Sequence, residues 1–260
     1  MPISDLVIDF TFLWTWVLVF TRMTGVFFAI PGVGTEQVPE SFRMFPAIIV
    51  SVCIVLGGIK APLPQTMAEG GMMLTVEFLL GFAFGFVPQL TLAGLTVAGQ
   101  LVAGAIGLAQ ANMIDVSLGE SVSILSRIKS QIAILLFLFM DGHHIVIRAA
   151  SGIAADIGVG MFRPGMATFE ILMERFTESF QLALVVSAPI IVAGLLTQFV
   201  LGLVTKFVPQ INVFIISLPL NILAGLYIVV ATVYGLAQHS YADLSFLEET
   251  LARLALSSGK

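Results

Sequence analysis

At 260 residues, with 58% hydrophobic and only 10% charged, the chain carries more apolar surface than a soluble fold of its length can bury. It is therefore an integral membrane chain, and its expected fold class is all-α, because apolar runs of helix-spanning length recur along it. A net charge of −5 with no basic block excludes a nucleic-acid partner. The single Cys53 excludes an internal disulfide and reads as a small core residue within an apolar run.

In chain order, Asp5 and Asp9 precede the first apolar segment, 10–30, where a secretory signal carries Lys or Arg. That segment is expected to stay in the membrane. Arg22 lies inside it. A charge at that depth either faces a partner or cavity, or snorkels to the interface. The sequence leaves both readings open. Pro31-Gly32-Val33-Gly34 and a polar loop to Arg43 follow. Segment 44–59 ends at Lys60, Pro62 and Pro64.

From Phe78 to Ile114 there is no charge, and Pro88-Gln89 is expected to divide this stretch into segments 72–87 and 90–109. Glu77, Gly81 and Gly85 recur every fourth residue, as do Gly99, Ala103, Gly107 and Ala111. Such ladders of small residues let helix backbones approach closely. Glu77, on that face, is expected to hydrogen-bond a neighbouring helix, with a proton relay as the alternative.

Residues 107–123 are apolar but rich in Gly, Ser and Asn, a poor composition for a lipid-facing helix. Segment 132–147 is interrupted by Asp141-Gly142-His143-His144. Neighbouring histidines on a helix point about 100° apart, which makes them poor ligands for one metal. Residues 166–178 (Phe169, Leu172, Met173, Phe176 among charges) form an amphipathic helix suited to a protein partner. Segments 180–205 and 212–237 then make an apolar helical hairpin. Its polar tip holds Lys206, Pro209, Gln210 and Asn212. A second amphipathic stretch, 244–256, sets Leu247, Leu251 and Leu254 against Glu248, Glu249 and Arg253. Basic residues do not alternate cleanly between loops. About seven segments place the acidic N-terminus outside and the tail inside.

Catalytic signatures are missing. There is no phosphate-binding Gly-rich loop, no dinucleotide fingerprint and no His/Glu metal spacing. No Ser or Cys has a His and an acid in a recognisable pattern. The chain is expected not to be an enzyme, with no cofactor and no metal.

Five motifs, in order, carry a family resemblance. They are the PGVG loop with Arg43; Glu77-xxx-Gly81-xxx-Gly85; the stretch around Asp115; Asp141-Gly142-His143; and Pro209-Gln210-Ile211-Asn212-Val213-Phe214 with Pro219. Together they resemble FliR, a membrane subunit of the flagellar type III protein export gate, and its injectisome homologues. The wording is closer to the flagellar form. Two departures stand out: Val116 where relatives commonly carry Pro, and Leu220-Asn221 where many carry Lys.

The resemblance implies a fold of bent antiparallel helical hairpins within one membrane subunit, packed in a helical hetero-oligomeric gate. It implies the P, Q and B export subunits as partners, unfolded export substrates in transit, and a place in the bacterial inner membrane at the flagellar basal body. It also implies that the 107–123 segment plugs the channel, through Gly107, Leu108, Met113, Ile114, Asp115, Val116, Leu118 and Gly119. The rival is a secondary transporter of small molecules, with Arg22 and Glu77 as functional charges and Pro88 and Pro209 as helix breaks. A structural or assembly membrane protein without a channel is a third reading.

Overall fold

The computed structural model describes residues 10–34, 39–105, 124–152, 158–207, 223 and 247–257. Among these residues the only regular structure is helical: α1 Phe10–Ala29, α2 Glu40–Leu56, α3 Met67–Ala105, α4 Ile124–Phe139, α5 Gly142–Ala150 and α6 Met166–Phe207. A last helix, α7, covers residues 247–256. Among the described residues three stretches are long and apolar enough to cross a membrane: Phe10–Ala29, Met67–Val102 and Met166–Val204. The chain is a polytopic all-α membrane protein.

Two expected breaks are corrected. Helix α3 runs through Pro88, joining the segments 72–87 and 90–109 as far as Ala105. Helix α6 is continuous from Met166 to Phe207, so the expected division between the amphipathic 166–178 and the apolar 180–205 is absent, and Pro189 lies inside the helix as the 180–205 segment implied. A proline removes one backbone donor. Opening a helix in apolar surroundings would strand several polar groups, so the long helix is the cheaper state. Where a break does form, its cause is visible. Gly57 caps α2 by donating to Cys53 O (3.2 Å) and Ile54 O (3.1 Å), and Gly58 then takes φ 91°. Cys53 itself is exposed on α2, not a core residue as expected. Its face of the helix is also the face of Ile49 and Leu56, which are exposed too.

The chain divides into two compact units. The first comprises Met1–Leu90, Phe137–Arg175 and Asp243–Lys260; the second comprises Thr91–Leu136 and Phe176–Ala242. In the first unit, Leu18, Met23 and Val26 of α1 pack in one apolar core with Leu80 and Phe84 of α3, Val146 of α5, and Leu251 and Leu254 of α7. The core-facing positions of α7 (Leu247, Leu251, Leu254, Ala255) follow the helical period.

Polar contacts fix α7 in place. Thr168 Oγ1 and Ser257 Oγ lie 2.8 Å apart, Arg175 donates to Thr250 Oγ1, and Arg253 Nη2 donates to Glu174 Oε2 at 3.0 Å. The stretch 166–178 thus turns Thr168, Ile171 and Arg175 inward and leaves Phe169, Met173 and Phe176 exposed. The inward side is the polar one here because α7 brings hydroxyls that meet Arg175 and Thr168.

In the second unit, α3 and α6 run side by side in the same direction. A Cβ on Gly94 would strike the backbone carbonyl of Ser179, and one on Gly194 would lie 2.8 Å from that of Ala105. Gln198 Nε2 donates to Ala105 O at 3.5 Å. Ser179, Ala183 and Ser187 continue the buried small-residue stripe of α6.

Candidate functional site: a buried ion pair at a glycine crossing

Helices α1 and α3 touch backbone to backbone. A Cβ on Gly81 would overlap the carbonyl of Arg22, and one on Gly25 would overlap that of Phe78. Gly85 sits 2.6 Å, measured from its would-be Cβ, from the carbonyl of Val26. Glycine at these positions lets α1 and α3 pack without an intervening side-chain layer. Glu77, one turn before Gly81, is thereby carried up to Arg22.

Arg22 and Glu77 form a bidentate ion pair in the core. Their side chains are 2% and 1% exposed. Arg22 Nε donates to Glu77 Oε2, and Arg22 Nη2 donates to Glu77 Oε1 at 3.0 Å. Two further contacts satisfy the pair. Arg22 Nη1 donates to Ala150 O at the end of α5 (3.2 Å), and Gly160 N donates to Glu77 Oε1 (2.6 Å). Gly160 has φ 80°, and a Cβ there would press on Met73 and Pro62. Only glycine brings its N–H down onto the carboxylate at this point.

The fork geometry of guanidinium and carboxylate suits such a buried pair. Its chemistry is that of a clasp: it joins α1, α3, α5 and the 158–164 stretch. Both Glu77 oxygens accept hydrogen bonds. The pair also decides the two open readings of Arg22 in favour of a partner. The sequence held the signal, two lone opposite charges in separate apolar segments, but spacing alone does not pair residues 55 positions apart.

Beside the clasp, a cleft of about 750 Å³ is lined by Met72, Met73, Met161, Glu69 and Arg163, with Glu77 and Gly160 at its inner end. Loop 57–66 is tied to α1 near it. Trp14 Nε1 donates to Pro62 O (3.1 Å), and Ala61 N donates to Thr15 Oγ1 (3.0 Å).

The structure also corrects the reading of Asp141-Gly142-His143-His144. Asp141 takes the left-handed conformation, φ 59°, and starts α5. In that first turn the two imidazoles swing together, with ring centroids 4.1 Å apart. Asp141 Oδ1 lies 3.1 Å from His144 Nδ1. Residues that the helix period sets apart are neighbours here.

Of the other residues singled out by sequence, Gly99 is buried in α3, and Ala103 lies in the same helix. The plug residues (Gly107, Leu108, Met113, Ile114, Asp115, Val116, Leu118, Gly119) lie outside the described residues. So do the hairpin residues Pro209, Gln210, Asn212, Phe214 and Pro219, and with them most of segment 212–237.

A family model described as bacterial export proteins, family 1, matches residues 13–245. A flagellar biosynthetic protein FliR from Borreliella burgdorferi is 31% identical over 220 residues, covering 81% of this chain and 80% of its own. The chain belongs to the FliR family of bacterial export proteins. Other FliR proteins agree. That of Aquifex aeolicus is 29% identical over 225 residues, covering 86% of this chain and 87% of its own. That of Bacillus subtilis is 27% identical over 241 residues, covering 87% and 93%. The region matched by the bacterial export family model takes in the Arg22–Glu77 clasp and the sequence stretches 107–123 and 209–219.

Proposed function

We propose that this chain is a channel subunit of the flagellar type III protein export gate, which helps to form and to close the pore for unfolded flagellar proteins. The observation that carries this reading is the family match across residues 13–245, which spans nearly every segment of the chain. The transporter reading finds no support in the relatives. The two charges it relied on neutralise each other.

In this proposal the chain works by structure, not by chemical turnover. The Arg22–Glu77 clasp holds the first unit rigid. The 107–123 segment follows α3 directly in sequence, and its apolar residues Leu108, Met113, Ile114, Val116 and Leu118 block ions at rest. Gly107 and Gly119 let it move aside for a passing chain. The partners are the P, Q and B subunits, at the flagellar basal body in the inner membrane.

Burial supports an assembled state. Only 18% of the apolar stretch of α6 is buried within the chain, against 50% for α1. Phe180, Leu195, Phe199 and Phe207 are all exposed along α6. A face of that size fits neighbouring subunits and lipid.

Two experiments test the proposal. Co-expression with the other gate subunits, followed by native mass spectrometry in mild detergent, is expected to yield a defined heteromer with one or a few copies of this chain. A monomer or homodimer that ignores those partners would sink the assignment. Deletion of 107–123 is expected to make cells leaky to small ions. Unchanged membrane permeability in cells that still assemble the gate would remove the plug.

A further inference from the structure

We propose that Asp141, His143 and His144 form a binding site for a divalent transition-metal ion of the Zn²⁺ class at the start of α5. One ligand atom from each of the three lies within 4.8 Å of the others. Asp141 Oδ1 and His144 Nδ1, at 3.1 Å, already stand at about the ligand–ligand spacing of a tetrahedral zinc site, which is ~3.3 Å for Zn–N and Zn–O bonds of about 2.0–2.1 Å. Small side-chain rotations bring the third ligand in.

Three further features fit a cation. His143 Nδ1 is buried and has no hydrogen-bond partner among the described residues. A buried polar nitrogen left without a partner is costly, and a metal ion is one way to satisfy it. The two imidazole rings also lie together, with centroids 4.1 Å apart, so that their nitrogens converge on one place. Finally, Asp141 is the only non-glycine residue with positive φ among the described residues. Left-handed backbone outside glycine is a local strain of the kind held at binding sites. Here it turns the carboxylate back over the first turn of α5.

Access is open. Asp141 and His144 side chains are 71% and 70% exposed. Both line a groove of about 440 Å³ whose far wall includes Glu248 of α7. Two imidazole nitrogens and one carboxylate suit Zn²⁺, Ni²⁺ or Cu²⁺ better than Mg²⁺ or Ca²⁺, which prefer all-oxygen shells. With three protein ligands, water takes the remaining position. Binding through His144 Nδ1 would use the neutral tautomer whose proton is on Nε2.

The test uses the detergent-purified complex of this chain with its co-expressed membrane subunits, carrying no polyhistidine tag and stripped of metal with a chelator. Zn²⁺ is titrated by calorimetry, and Co²⁺ is titrated by its visible absorption. The His144→Gln and Asp141→Asn complexes run in parallel, so any site on another subunit cancels. Both altered side chains are exposed, and size-exclusion profiles confirm assembly. The expected result is one saturable Zn²⁺ site per copy of this chain, weakened at least about tenfold by either substitution, with loss of the Co²⁺ spectrum. Equal Zn²⁺ binding by wild-type and variant complexes, or no saturable binding by the wild type, would overturn the proposal.

Discussion

Replacing Glu77 by Ala is expected to destabilise the folded chain by about 3–5 kcal/mol, because it leaves the Arg22 guanidinium buried without its counter-charge. The loss is not confined to the pair. Gly160 N gives up its acceptor, so the 158–164 stretch is released from α3 at the same time. In detergent-purified protein this reads as a markedly lower unfolding temperature, and in cells as loss of the full-length chain and of swimming.

A second variant separates charge from packing. Arg22→Met with Glu77→Leu removes both ions and keeps similar volume. Exchanging a buried pair for apolar side chains is often near neutral. The unpaired Gly160 N–H still costs about 1–3 kcal/mol. The double variant is thus expected to unfold at a higher temperature than Glu77→Ala alone. If Glu77→Ala unfolds like the wild type, the clasp is not what holds this unit together.

Gly81→Leu is expected to be about as damaging, by a different route. Its Cβ would coincide with the backbone carbonyl of Arg22, which has no rotamer to offer. The helices must move apart, costing about 3 kcal/mol or more, and the separation also pulls Arg22 away from Glu77. Gly71, on the same helix, is the control. A Cβ there meets nothing within 4 Å. Gly71→Ala should be neutral, or stabilising by up to about 1 kcal/mol through helix propensity. Thermal unfolding of the two variants side by side reads the contrast. Equal tolerance at both positions would refute the close crossing.

Much of this was legible in the residues. Composition alone placed the chain in a membrane as helices, and the four-residue spacing of Glu77, Gly81 and Gly85 pointed to a close helix contact. What spacing could not give was the partner. Arg22 is 55 residues away, and only the fold decides which helix a small-residue face meets. Proline was over-read at Pro88. Local propensity argued for a break, but the cost of stranding backbone groups in apolar surroundings outweighs one lost hydrogen bond. His143 and His144 were misjudged because the helical period holds for helix interiors. The turn at Asp141 sits ahead of the first full turn and aims both rings to one side.

The place of α7 in the core has a consequence for how the chain is made. The first unit draws on residues near 10–90, then 137–175, then 243–260. A ribosome adding about 5–20 residues per second needs roughly 10–30 s to go from residue 90 to residue 257. Through that interval the core lacks Leu251 and Leu254, and α6 is complete before they are made. Closure of the first unit therefore comes after every other described helix exists. Helix α7 works as a bolt: the first unit stays open until it slides home.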